Sequence, residues 1–327
     1  MKVGKVPEAV LKRSIIKQIK TKREEIITGA AVGEDCAVIE LKEDEVFVIS
    51  TDPITGTAKD IGALSIHVTA NDIASSGAEV VGVMLSVLLP ESTEEEDLKA
   101  MMKEVEATCH ELNIQTMGGH TEVTKVVNQP VVTVTGIGKV KKDKVIKTSG
   151  ARINDDIVIT KWIGLEGTAI IAKEKEQELN KRFSSPFING AKEFSKYLSV
   201  VKEAGIAAGL NAHAMHDVTE GGIFGALWEI AEASSVGLEI DLKSIPLKQE
   251  TVEICDFYGI NPYCLISSGS MLIATPNGSD LVRELKKEGI EATVVGKVMA
   301  GNDRVLLNEE EKRFLEPPKS DELYKVI

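Results

Sequence analysis

The sequence lacks the common signatures of nucleotide binding and nucleophilic catalysis. Its 327 residues hold no G-x-x-x-x-G-K-[ST] phosphate loop, no G-x-G-x-x-G fingerprint, no G-x-S-x-G elbow and no kinase signature set. A nucleotide site in this chain is therefore built in another way. Cysteine is sparse: Cys36, Cys109, Cys255 and Cys264 are scattered with no C-x-x-C. That excludes a zinc pattern and a disulfide framework, and the expected compartment is a reducing cytoplasm. No apolar run reaches the length of a membrane span, and Met1-Lys2-Val3-Gly4-Lys5 lacks a signal-peptide core. Positive charge is also in deficit. A net charge of -13 argues against nucleic-acid and anionic-membrane partners and suits a protein that holds divalent cations.

What is present is organised around His67–Pro90, centred on Asn71-Asp72-Ile73-Ala74-Ser75-Ser76-Gly77-Ala78. The residues before the centre read as helix, and Val80–Leu89 reads as a strand buried on both faces. Small side chains between them let a helix lie close to a backbone or a ligand. A carboxylate in such a stretch is costly unless a cation or several donors meet it. An isolated Asn-Asp would be a helix cap, but three other acidic spots also fall at ends of apolar strands: Glu34-Asp35, Thr51-Asp52 and His216-Asp217. Dispersed carboxylates near glycine turns would hold Mg²⁺, and the metal would hold phosphates.

Along the chain, Val10–Ile19 reads as a short amphipathic helix. Ala37–Leu41 and Val46–Ser50 read as strands joined by a polar turn. If they form an antiparallel hairpin, Asp35 and Asp52 lie at the same end of it. Ser92 with Glu95 and Thr93 with Glu96 form overlapping capping boxes. The helix that follows places Leu98, Met101, Met102, Val105, Cys109 and Leu112 at core spacing, so its methionines read as packing. Ile114–Met117 is a short strand entering Gly118-Gly119-His120-Thr121, where glycines permit backbone amides to approach an anion. Val131–Ile137 is a strand with Thr133 and Thr135 outward, and Lys139–Lys147 reads as a basic, mobile stretch.

A polar turn at Ser149-Gly150 marks the expected boundary between a domain 1–148 and a domain 149–327. Strand Asp156–Thr160 leads through Gly164 and Gly167 into a helix, a turn equally suited to an anion or to plain connection. Ser185-Pro186-Phe187 precedes a long helix with Ala191, Phe194, Leu198 and Val201 on one face. His213 and His216 lack a third metal ligand in register and read as structural or solvent-facing. Gly221-Gly222 open a helix over Ile223–Ala233, with its amides expected to face Asp217 and Thr219. Strands and helices alternate, which gives a mixed α/β (α+β) class.

Six motifs in order resemble the aminoimidazole ribonucleotide synthetase (PurM-like) superfamily: Gly33-Glu34-Asp35-Cys36-Ala37, Ser50-Thr51-Asp52, Asn71–Ala78, Gly118-Gly119-His120-Thr121, Ser149-Gly150-Ala151-Arg152 and His216–Gly222. Within it the pattern is most similar to the hydrogenase-maturation branch, HypE, through Asp60–Leu64, Asp217–Gly222 and Ser267–Ala274. The resemblance implies an N-terminal domain that shares a β-barrel with a second subunit, a C-terminal α/β domain, and ATP bound with Mg²⁺. It implies that Asp35, Asp52, Asp72 and Asp217 bind metal, and that Asn71, Gly118, Gly119, His120 and Thr121 join them around the nucleotide. A homodimer and a maturation-protein partner follow from the same likeness.

The sequence departs from the branch in placing His120 where HypE has aspartate, a feature similar to selenophosphate synthetase. It lacks the reactive cysteine and glycine-rich N-terminal loop of that enzyme. HypE also ends in a carbamoyl-accepting cysteine, whereas the last cysteine here is Cys264, and Phe314–Ile327 reads as a charged, mobile tail without a thiol. The expectation is an ATP-binding, Mg²⁺-dependent, HypE-like protein that does not carry out that reaction on its own tail. The alternatives are a small-molecule kinase of the thiamine-monophosphate type and an inactive nucleotide-binding regulator.

Overall fold

The computed structural model describes residues 4–31, 36–55 and 59–327. Asp35, the first expected metal ligand, lies outside the described residues. The chain divides into two compact units, Met1–Ala74 with Ala78–Val145, and Ser75–Gly77 with Ile146–Ile327.

The first unit runs β1 (Gly4–Lys5), α1 (Glu8–Val10, continued by a π-helical turn Leu11–Ile16), β2 (Ile26–Thr28), β3 (Val38–Ile39), β4 (Glu45–Ile54), α2 (Ile61–Ser75), β5 (Glu79–Leu89), α3 (Glu95–Glu111), β6 (Gln115–Val123) and β7 (Val131–Lys141). Five strands form a mixed sheet in the order β1-β6-β5-β7-β4, with β5 and β6 parallel. Helix α2 lies unusually close to β7, and glycine makes this possible. A Cβ added at Gly136 would stand 2.5 Å from Thr69 Cγ2, and one at Gly138 would stand 2.3 Å from Ile73 Cγ2. The small residues expected on the helix are thus matched by glycines on the strand. Leu98, Met101, Met102, Val105 and Cys109 of α3 are buried, as their spacing predicts. The opposite side of the sheet is more open: Phe47 and Ile49 of β4 are exposed, and Thr133 and Thr135 of β7 alternate with buried neighbours.

The second unit continues with β8 (Asp156–Thr160), α4 (Leu165–Glu174), α5 (Glu176–Leu179), α6 (Ser185–Lys192), α7 (Val201–Gly209), β9 (Ala214–Asp217), α8 (Gly222–Ser234), β10 (Gly237–Asp241), α9 (Gln249–Tyr258), β11 (Met271–Thr275), α10 (Gly278–Lys287), β12 (Ala292–Met299), β13 (Arg304–Asn308) and β14 (Glu311–Phe314). Its seven-stranded sheet has the order β14-β13-β10-β12-β8-β11-β9. Strand β11, next to the edge strand β9, is buried at all five positions, the pattern of a strand covered on both faces. Residues of α8 pack in one core cluster with Ile157 and Leu272, while α4, α6 and α9 share another with Leu265 and Leu323.

Several local expectations give way to tertiary structure. The hairpin of Ala37–Leu41 with Val46–Ser50 does not form. β4 instead pairs with β7 along all ten of its residues, and β3 pairs with β2. Sequence closeness lowers the entropy of closing a hairpin, but the longer ladder satisfies more backbone groups. Pro53 is tolerated because β4 is an edge strand. The α3 cap is Glu94 paired with Asp97, two residues beyond Ser92, because the Glu95 carboxylate is taken by Arg13 and Ser14. Lys139 is not mobile: it lies in β7 and binds Glu25. The long helix after Pro186 is broken into α6, a 3-10 turn and α7; the backbone at Tyr197 lies so close to Gly269 that a Cβ there would be 2.6 Å from the Tyr197 carbonyl oxygen. The tail is docked, with Leu315, Asp321 and Leu323 buried.

Candidate functional site

In the first unit two of the expected metal ligands meet. Asp52 lies within β4, not beyond its end, and Asp72 lies in the last two turns of α2. The Ser50 hydroxyl donates to Asp72 Oδ2 and stands 3.4 Å from Asp52 Oδ2, so one side chain spans both carboxylates. Alternation along β4 puts Ser50 and Asp52 on the same side of the strand. Both carboxylates are half-buried, open enough to receive a cation, while the neighbouring Asn71 is fully buried. Two carboxylates are the number of protein oxygens with which Mg²⁺ is commonly held when phosphates and water supply the rest. Among the described residues no cluster of three or more His, Cys, Asp or Glu side chains is close enough to hold a metal alone. The Asp52 and Asp72 oxygens are hard donors of the kind that suit Mg²⁺.

The expected glycine turn is a bulged strand. Gly118 and Gly119 lie inside β6, opposite Met84 and Leu85 of parallel β5, with the register shifting between Val83 and Met84. Gly119 has φ +146°, and a Cβ there would be 2.0 Å from the Leu85 carbonyl oxygen. Close packing of two strands thus explains the glycine without an anion nest. His120 is exposed and its Nε2 lies 3.2 Å from Glu122 Oε2. Gly118, Gly119, His120 and Thr121 all line one cavity of about 580 Å³ in this unit, together with Cys36, Ser86, Thr133 and Thr135. Asp52 and Asp72 are not part of its wall. Sequence reading found the glycine segment and the motif that holds Cys36 but not Ser86, since a lone serine in an apolar run carries no signal of a cavity.

In the second unit Asp217 is the buried last residue of β9. Within this unit, which includes Ser75–Gly77, the Ser75 hydroxyl lies 3.4 Å from Asp217 Oδ1. Of the amides that open α8, Gly222 donates to the Thr219 carbonyl oxygen at 3.0 Å, so Thr219 is met as expected. The Gly221 amide donates to Asp321 Oδ2 at 2.7 Å, and Asp321 Oδ1 also accepts from Ile266 and Leu323 amides at 3.2 and 2.8 Å. Burial pushes the Asp321 carboxyl upward, and these three amides oppose the shift. The Gly164 and Gly167 amides at the start of α4 are likewise taken, by Ser267 Oγ and the Ile266 carbonyl, so that turn is a packed connection with no free anion site at those amides.

Glu166, which sequence reading missed, is a strongly perturbed carboxyl. It is fully enclosed and its pKa rises to about 7, because burial outweighs the donors of Ser268 and because Asp321 and Asp217 repel its charge. Its signal was an acid inside the apolar run Ile163–Ala172. His213 and His216 pair with Asp155 and Glu229 at 2.9 and 2.7 Å, which is the structural role expected of them. Burial lowers the His216 pKa but the Glu229 hydrogen bond overcomes it, and the net direction is upward. Cys264 is half-buried, not a packed core thiol, and burial with Glu322 and Asp321 nearby raises it to about 11, so it is a thiol near neutral pH.

Comparison with known proteins places this geometry. The chain is 30% identical over 275 residues to a putative hydrogenase expression/formation protein of Methanocaldococcus jannaschii, covering 83% of this chain and 80% of that one. It is 28% identical over 263 residues to the carbamoyl dehydratase HypE of Rhizobium leguminosarum bv. viciae, covering 79% and 73%. Its fold matches the crystal structure of the hydrogenase maturation protein HypE in complex with ATP with a TM-score of 0.82 at 20% identity, over 99% and 97% of the two chains. It matches the crystal structure of a HypE-HypF complex with a TM-score of 0.74 at 21% identity, over 83% and 90%. The PurM-like two-domain fold expected from the motifs is therefore the fold of this protein. The family models for the N-terminal and C-terminal domains of AIR synthase related proteins match residues 33–140 and 152–307 in that order, and the chain belongs to the AIR synthase related protein family.

Proposed function

We propose that this protein binds ATP with Mg²⁺ and uses it, in the manner of HypE, to activate the oxygen of an amide or acid by phosphoryl transfer. The observation that carries the reading is the Asp52–Asp72 pair joined through Ser50. Two hard oxygen donors on separate elements form a seat that a triphosphate's metal would complete. Support comes from the likeness to a HypE solved with ATP and to relatives named as carbamoyl dehydratases. When bound, Mg²⁺ would offset the negative charge of the phosphates. Asp52 and Asp72 would hold the metal, with Asp35 and Asp217 as further carboxylates, and Asn71 and Gly118–Thr121 would contribute to the nucleotide's surroundings. His120 is a poor Mg²⁺ ligand, so its part is hydrogen bonding to phosphate or acceptor.

The same reading takes the protein to be a cytoplasmic homodimer, built from domains 1–148 and 149–327. Among the described residues no helix is long and apolar enough to cross a membrane. The open side of the first sheet, where Phe47 is 48% and Ile49 62% exposed, is the face a second copy would cover. A carbamoyl-transferring maturation protein is the proposed partner, in line with the HypE-HypF complex.

The test is calorimetry with MgATP. Asp72→Asn is expected to bind more than about 10-fold more weakly than the parent while its circular dichroism is unchanged. Unchanged affinity would remove Asp72 from the site. ATP turnover with carbamoyl phosphate and the transferring partner, set against turnover with thiamine monophosphate, separates the maturation reading from the kinase reading; ATP binding without turnover on either would leave the regulator.

A further inference from the structure

We propose that the segment 12–22 is a docking ridge for another protein, and that it takes a segment of that protein rich in Asp and Glu. The proposal goes beyond the nucleotide reading and does not depend on it. Charge in this chain is unevenly placed. Residues 1–23 hold eight Lys and Arg against one acid, Glu8, while the remaining residues hold 30 against 50. Lys12, Lys17, Lys20 and Lys22 are all exposed. Among the described residues no carboxylate pairs with Lys17, Lys20 or Lys22. Like charges gathered this closely repel one another until something of opposite charge meets them.

Local structure sets the lysines side by side. The Lys17 amide donates to the Lys12 carbonyl oxygen at 2.9 Å, five residues back, and so closes the π-helical turn Leu11–Ile16. In an α-helix, residues five apart point about 140° away from each other. The wider turn brings Lys17 toward the side of Lys12, and it gathers Leu11, Ile15 and Ile16 on the side that lines the cavity. Beyond the turn, burial alternates: Ile19 and Thr21 are buried, Lys20 and Lys22 are exposed. Both of these lysines therefore leave the chain on the same side.

The ridge is also held still. Arg13 and Ser14 both donate to Glu95 of α3. The Thr21 amide and hydroxyl donate to Glu106 Oε1 at 2.7 and 2.8 Å, and the Arg23 amide donates to Gln115 Oε1 at 2.7 Å. A solvated basic tail needs none of these ties. A surface fixed in advance loses little freedom when a ligand arrives.

Other anionic occupants fit the ridge less well. Single-stranded nucleic acid is held by stacking as well as by charge, and residues 1–46 contain no Phe, Tyr or Trp. An anionic membrane takes up the apolar face of an amphipathic segment, but here Ile15 and Ile19 are already buried within the unit. A two-fold contact between copies of this chain would set one ridge against another, lysine facing lysine. An acidic segment of a different protein meets the lysines with carboxylates and leaves the buried side undisturbed. Complementarity of this kind speeds encounter and selects the partner.

The probe is octaglutamate carrying an uncharged dye, followed by fluorescence anisotropy with the full chain at about 0.02 M and about 0.3 M salt, between which screening changes strongly. The parent is expected to bind it at the lower salt and to lose most of that binding at the higher. Lys17→Glu with Lys20→Glu and Lys22→Glu should weaken binding about 10-fold or more. Lys181→Glu with Lys312→Glu and Lys319→Glu changes the charge equally, at exposed lysines of the second unit, and should weaken it about 2-fold or less. The milder Lys20→Gln with Lys22→Gln should weaken it about 3-fold, which keeps the test valid if the first variant does not fold. No binding at low salt, or equal loss in the two triple variants, would overturn the proposal. So would tighter binding of a thymidine octanucleotide or of phosphatidylserine vesicles than of octaglutamate. Sedimentation of the parent and the first variant should agree; a change in oligomeric state would make the ridge a contact between copies and overturn the proposal as well.

Discussion

The two units treat their polar groups in opposite ways. In the first, Asp52 and Asp72 are half-buried beside a serine, His120 is exposed, and one side of the sheet is open. In the second, amides that open α8 and α4 are filled by the chain's own Asp321, Ser267 and Ile266, and Glu166, Asp217 and Asp321 are buried. Glycine follows the same division. Gly119 lets two strands of the first unit meet beside a cavity, whereas Gly167 lets α4 close on Leu265, whose Cγ would be 2.5 Å from an added Cβ. A ligand needs donors that water can reach before it arrives, so the first unit is where binding chemistry is available. The second spends Asp321 and Ser267 on its own backbone amides.

The comparison breaks most sharply at Lys161 and Glu203, a second-unit ion pair at 2.5 Å in which both side chains are almost wholly buried. Burial lowers the Lys161 pKa, and Glu203 opposes that shift. Glu203→Ala leaves a buried ammonium without its partner and should cost about 3–5 kcal/mol in urea unfolding. An effect below about 1 kcal/mol would show that water reaches the pair.

Glu166 gives the next largest effect. Its folded pKa of about 7 lies above the ordinary 4.5, so the stability it contributes is complete below about pH 4.5 and is lost as pH rises through about 7. The loss is on the order of 3 kcal/mol at pH 9. Glu166→Gln should therefore gain stability relative to the parent as pH rises from 5 to 9. Parallel pH profiles for the two proteins would mean that Glu166 is ionised without penalty.

Asp321→Ala removes the acceptor for three amides and should cost about 2 kcal/mol, with faster hydrogen exchange at Gly221, Ile266 and Leu323. Exchange unchanged at Gly221 would separate the tail from α8. The smallest change in unfolding free energy belongs to the first unit: Ile49→Lys, on the open sheet side, should alter the stability of a single chain by less than about 0.5 kcal/mol. Its effect should appear in sedimentation, as loss of the proposed dimer. A parent protein that is already a monomer at micromolar concentration would remove the shared barrel from the proposal.

Much of the site was legible because its residues are neighbours in sequence. Asn71-Asp72 announced itself as polar groups in a packed stretch, and Gly118–Thr121 as glycines after a strand. What was not legible was which of them meet. The hairpin expected to join Asp35 and Asp52 does not form, and pairing with β7 sets Asp52 against α2 and Asp72. Ser50 became the link only through that change. The cavity collects side chains from β5, β6, β7 and the N-terminal segment, and no spacing in the sequence encodes that gathering.

Sequence alone determined the elements whose pattern is local: the helix before the Asn-Asp motif, the buried strands, the core face of α3, and the family through six short motifs in order. Periodicity and turn chemistry act over a few residues, so the sequence carries them openly. Tertiary structure alone decided the partner of β4, the cap of α3, the docking of the tail through Asp321, and the raised pKa of Glu166. Each depends on a group tens or hundreds of residues away, and the free energy of burying or satisfying that group outweighs the local preference.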